Sequence, residues 1–126
     1  MGVWGAGNFD SDAACDIRNE LSDRLIQEVW TLLSDPGSAE ADEDDHDMLF
    51  VKLEWLLTLH DAGVFSGWNL PKPGDLAPVL EAWKAAWSTY FDGLSGPEFK
   101  AERAAVIDAT FERFRSVCDA AEQARA

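Results

Sequence analysis

Residues 47–62, DMLFVKLEWLLTLHDA, decide the fold, because Met48, Leu49, Phe50, Val51, Leu53, Trp55, Leu56, Leu57 and Leu59 leave little polar surface on any side. A helix that is apolar almost all round belongs in the middle of a domain. The stretch therefore predicts a central helix over 47–62, with an acidic first turn suited to the positive helix end and Gly63 as its stop.

Working outward, three amphipathic segments can cover it. Before it, Ile17, Leu21, Leu25, Val29 and Leu32 recur at spacings of three and four, predicting a helix from about residue 10 to 33, with Trp30 at the edge of the stripe. Asp35-Pro36-Gly37 stops that helix. After the central segment comes a Gly- and Pro-rich loop, residues 63–75, containing Phe65 and Trp68. Asp75 is expected to cap a third helix that tolerates Pro78 in its first turn and carries the stripe Leu76, Leu80, Trp83, Trp87 and Tyr90. A break over 93–97 precedes a last helix starting at Pro97, with Phe99, Ile107, Phe111, Phe114, Cys118 and Ala121 toward the core. No window alternates apolar with polar residues, so no strand is expected. The expectation is all-α: one domain, residues 1–126, a compact bundle of about four helices with an N-terminal aromatic and Gly-rich loop packed on them.

Charge is the strongest compositional signal. Ten Lys and Arg face 24 Asp and Glu, a formal −14. Residues 1–63 hold 15 acids and three bases, Arg18, Arg24 and Lys52, whereas residues 64–126 are close to balanced. Such a field repels phosphate backbones, which argues against direct nucleic-acid binding, and attracts basic protein surfaces or cations. Residues 35–47 concentrate it: Asp35, Glu40, Asp42, Glu43, Asp44, Asp45 and Asp47 occur without a single Lys or Arg, so 35–46 reads as a mobile, self-repelling acidic loop. Cys15 and Cys118 both fall on apolar helix faces and read as reduced, buried thiols of a cytoplasmic protein, although one disulfide between them stays open. No leader pattern and no apolar run near 18 residues is present, so neither secretion nor membrane insertion is expected. The start Met1-Gly2 lacks the Ser or Thr that a myristoylation signal wants at Ala6.

The opening is the most distinctive motif: Met1-Gly2-x-Trp4-Gly5-x-Gly7-x-Phe9-Asp10-x-Asp12-x-Ala14-x-Asp16. Three glycines allow backbone turns that would let Trp4 and Phe9 tuck against the helices, with Asp10 as a cap. Asp12 and Asp16 lie four apart on one helix face and, with Asp10 and Glu20, could form a carboxylate surface for a cation or an Arg-rich partner; Arg18 and Arg24 could equally neutralise them. Over residues 1–21 this opening resembles the bacterial family known as domain of unknown function 4259, and residues 42–62 resemble its next segment more loosely. The resemblance implies a helical protein and brings no established activity.

Catalytic constellations are missing from the sequence. The run Asp42 to Asp47, with His46 inside it, lacks the Asp-x-Asp-x-Asp-Gly order of a calcium loop. Two histidines, His46 and His60, are too few for a three-His metal centre, and His60 reads as a partner of the helix C-terminus. Ser22, Ser88 and Ser116 lie inside helices with no nucleophile elbow. The expectation is an acidic protein-binding module without cofactor, such as an immunity or inhibitor protein, that docks a basic partner through Asp42, Glu43, Asp44, Asp45, Asp47 and Trp68. The alternative is a metal-dependent hydrolase of small phosphorylated substrates using Asp12, Asp16 and Glu20, faintly reminiscent of helical pyrophosphatases. A third option is a domain that stabilises an oligomer through its loop aromatics.

Overall fold

A computed structural model describes residues 2–91 and 96–126. Four helices carry the chain: α1 (Asp12–Ser34), α2 (Asp44–Asp61), α3 (Pro73–Phe91) and α4 (Pro97–Arg125), with a 3-10 turn, Pro36–Ala39, between the first two. The all-α expectation holds; among the described residues the sole β feature is an isolated antiparallel bridge between Val3 and Ser11. α2 packs against α1 and α4, and α3 also packs against α1 and α4. The order around the bundle is therefore α1, α2, α4, α3, and the 3-10 turn leans on α1, α2 and α3.

The core is drawn from one stripe of each helix: Ile26, Val29 and Leu33; Leu49, Phe50, Leu53, Leu56 and Leu57; Leu76, Leu80, Trp83, Trp87 and Phe91; Ile107, Phe111, Phe114, Val117 and Cys118. On α1 this corrects the expected stripe, because Ile17 and Leu21 are exposed while Ser22 is buried. The Ser22 hydroxyl donates to the Arg18 carbonyl (2.8 Å) and accepts from the Ser66 N–H (3.0 Å), tying α1 to the loop after α2. That tie turns the polar position inward and rotates its apolar neighbours out. Phe99 is also exposed, stacked on Phe91 at 5.8 Å near the start of α4.

Helix starts differ from expectation in three places. Ser11, rather than Asp10, caps α1, its Oγ accepting from the Ala14 N–H. α2 begins at Asp44, since Asp44, Asp45 and Asp47 all favour the positive end of a helix and draw the acidic run into its first turn. α3 begins at Pro73, so Asp75 sits within the first turn and Pro78 lies inside the helix. The break expected over 93–97 lies outside the described residues except for Gly96 and Pro97, and Pro97 does open α4. At the far end of α2, Gly63 (φ +75°) closes a Schellman cap: its N–H donates to the His60 carbonyl, and the Val64 N–H donates to that of Leu59.

The acidic segment is more ordered than a solvated loop. Asp35 accepts from the Gly37 N–H and starts the 3-10 turn, in which Ser38 and Ala39 are buried. Asp42 is held by the Tyr90 hydroxyl at 2.5 Å. The N-terminal loop is likewise self-contained: the Asp10 carboxylate accepts from the Gly7 N–H (2.8 Å), and the Trp4 N–H donates to the Asp10 carbonyl. The loop does not plug the bundle, for Trp4 is 60% and Phe9 41% exposed. Its glycines answer a spatial need, since a Cβ on Gly5 or Gly7 would lie about 2.5 Å from the Asp10 carboxylate.

Both cysteines are free thiols, Cys118 fully buried and Cys15 half-buried. Burial pushes the Cys118 thiol up to about 12. A maleimide reagent is expected to label Cys15 in the folded protein and Cys118 only after denaturation, read by mass spectrometry. Gly63→Ala is expected to lower unfolding stability by about 1 kcal/mol, read by urea denaturation, because the alanine inherits a left-handed backbone.

Candidate functional site: an acid-framed aromatic cleft

A concavity of about 830 Å³ opens between the N-terminal half of α2, the end of α3 and the start of α4. Phe50, Val51, Trp55, Phe91 and Phe99 form its apolar walls, Asp42, Asp47 and Glu54 stand at its edge, and His46 and Arg103 line it as well.

Its floor rests on a stack of rings. Phe50 contacts Phe111 (5.8 Å between centroids) and Trp83 (5.4 Å), and His46 lies against both Phe50 (5.2 Å) and Trp83 (5.7 Å). The Trp83 indole N–H donates to Ser38 Oγ at 2.8 Å, which fixes the stack to the 3-10 turn. Arg103 reaches over from α4. Its guanidinium carbon lies 4.6 Å above the Phe50 ring centre, and one Nη sits 3.2 Å from His46 Nε2. A guanidinium only donates, so His46 Nε2 accepts and the ring proton is on Nδ1. Nδ1 is buried and near the Ser38 backbone, without a well-aligned hydrogen bond to it.

Electrostatics follow from that geometry. His46 is held below its ordinary value of 6.5, first by burial and then by the Arg103 charge, against smaller opposing effects of the Ser38 backbone and Asp47. Burial also lowers Arg103, with Asp47 acting against it. No carboxylate among the described residues lies within ion-pair distance of Arg103, although Lys52–Glu28 and Lys84–Asp108 pair elsewhere on the bundle and Glu54, at the cleft edge, pairs with Arg113.

The apolar surface of α2 continues past the cleft, from Val51 and Trp55 in its wall to Met48 and Leu59 outside it. Met48, Val51, Trp55 and Leu59 form a second stripe, spaced three, four and four, on the side opposite the core, and all four are exposed, Trp55 at 63%. This corrects the expectation of a helix enclosed on every side. The surplus apolar residues face water.

The expected site residues divide between separate places. Asp42, Glu43, Asp44, Asp45 and Asp47 cluster at the start of α2, and Asp42 and Asp47 border the cleft. Trp68 is exposed but follows the far end of α2, and its carbonyl accepts from Arg125 at 2.7 Å. An 18-residue helix is about 27 Å long, so Trp68 does not join the acidic cluster. Of the carboxylates on α1, Asp12, Asp16 and Glu20 are exposed, and Glu20 pairs with Arg24. Among the described residues no group of three or more His, Cys, Asp or Glu could hold a metal ion. Of the motif residues, Gly2, Gly5 and Gly7 make room for Asp12 and Asp10, while Trp4 and Phe9 stay partly in water. His46, Phe50, Trp55, Phe99 and Arg103 were not foreseen as site residues; the legible signal was the second stripe, since one core face cannot use nine apolar residues.

Stability should depend on pH through His46. Its folded pKa is depressed, so as pH falls below about 6.5 the unfolded ring binds a proton that the folded ring resists. The stabilisation is present above that value and lost as pH drops through the lower, folded value. Urea midpoints are expected to fall from about pH 7.5 to about pH 5.5, and His46→Gln should flatten that decline.

No family model, curated protein or solved structure matches this chain. No described helix is long and apolar enough to cross a membrane.

Proposed function

We propose that the chain is a non-enzymatic protein-binding module whose acidic face docks a basic partner, as an immunity or inhibitor protein covers a cationic target. The carrying observation is the cleft itself: exposed aromatic walls, Trp55 and Phe99, bordered by Asp42, Asp47 and Glu54. Aromatic anchors inside a polar rim are the composition of binding hot spots. The stripe Met48–Val51–Trp55–Leu59 extends the surface along α2, and contiguous exposed apolar patches mark interaction sites.

Charge selects the kind of partner. A second copy of this chain would bring another −14 and another acidic rim against the first, which opposes self-pairing at neutral pH. A partner that places Lys or Arg beside an apolar anchor satisfies both parts of the surface, and opposite charge speeds its capture.

The test uses two fluorescent peptides with one central Leu-Trp anchor, flanked either by lysines or by glutamates. The lysine peptide is expected to bind at least about tenfold more tightly and to weaken as salt rises. Trp55→Ala should reduce that affinity by at least about tenfold while leaving helical circular dichroism unchanged. Equal binding of both peptides, or affinity indifferent to salt, overturns the proposal.

A further inference from the structure

Arg103 is the one basic group lining a cleft otherwise bordered by acids, and its situation is chemically incomplete. Its guanidinium rests on Phe50, gives one N–H to His46, and has no acceptor for its other N–H groups among the described residues. The rings Phe50, Trp55, Phe91 and Phe99 line the same cleft, and Arg103 is half-buried, with burial lowering its pKa. A partly desolvated cation gains most from an anion delivered in the guanidinium plane, and a carboxylate matches its fork of donors. His46 cannot supply that charge, because an imidazole is neutral or cationic and never an anion.

The occupant must therefore bring a carboxylate and an apolar group to one spot, because the walls next to the guanidinium are aromatic. It must also carry positive charge a short distance away, to meet Asp42 and Asp47, since Glu54 is already paired with Arg113. An internal Asp or Glu supplies the carboxylate in place of the apolar side chain. The last residue of a polypeptide supplies both when its side chain is Leu, Ile, Phe or Val. The geometry points to Arg103 as a receptor for the C-terminal carboxylate of a partner whose final residue is apolar and whose preceding residues are basic. This deepens the basic-partner reading and rests on it. Capturing a chain end at a guanidinium reuses a common mode of peptide recognition. The Arg103–His46 contact presets the fork, and the Phe50 face supports it from below.

The experiment compares synthetic Lys-Lys-Lys-Ala-Leu as the free acid and as the C-terminal amide, with the full chain, by fluorescence anisotropy. The free acid is expected to bind at least about tenfold more tightly. Arg103→Gln should remove the difference between acid and amide, and Arg103→Lys should restore part of it. N-acetyl-leucine, which has the carboxylate and side chain without the basic residues, should bind far more weakly than the peptide acid. Equal affinity of acid and amide in the unaltered protein overturns the C-terminal assignment whether or not the variants fold. If both forms then still bind in a salt-sensitive manner, the basic-partner reading survives. N-acetyl-leucine binding as tightly as the peptide also overturns the assignment, in favour of a small free carboxylate.

Discussion

The hydrogen bond from the Trp83 indole to Ser38 Oγ is the joint on which the rest of the bundle depends. Ser38 is fully buried in a segment that carries seven acids, and its hydroxyl also lies within reach of the Leu32 and Asp35 carbonyls. One side chain thus closes the end of α1, orders the acidic connection and fixes the register of α3. Trp83 in turn supports Phe50, His46 and Phe111, so the connection, α2, α3 and α4 meet in a single aromatic stack. A buried hydroxyl with its partners removed would cost on the order of 1–3 kcal/mol. The tie is therefore worth more than its single bond suggests.

The same stack explains why a segment dense in negative charge packs closely instead of springing away. Its carboxylates stand outside while Ser38, Ala39 and His46 point in. Asp44, Asp45 and Asp47 then rest at the positive end of α2, where their charge is an asset to the helix. Repulsion is accommodated by direction. The acids fan outward around the cleft, and the one cation among its lining residues lies over its floor.

Much of this was legible in the residues. Residues 47–62 announced a helix, though not one enclosed on every side; Leu76, Leu80, Trp83 and Trp87 faced inward as their spacing required while Tyr90 is only half-buried, and Pro97 opened α4. What failed did so for local reasons. On α1, periodicity favoured Ile17 and Leu21, but Ser22 found the Ser66 backbone N–H and turned inward. Composition gave no sign of the 3-10 turn within residues 35–46, because pattern reading cannot see that Ser38 meets an indole 45 positions away. The candidate site was half readable: Asp42 and Asp47 border the cleft, Trp68 lies at the other end of α2, and Arg103 carried no signal of its own on a mixed-charge helix. Excess apolar content on α2 was visible, but without its neighbours nothing indicated which face would stay bare.

That bare face has a colloidal consequence. Met48, Val51, Trp55 and Leu59 would invite molecules to clump if the surface around them were neutral. Mutual repulsion at a formal −14 holds copies apart and keeps the sticky strip from pairing with itself. Near an isoelectric point of about 4.2 that shield collapses, and the exposed strip becomes the seed of precipitation.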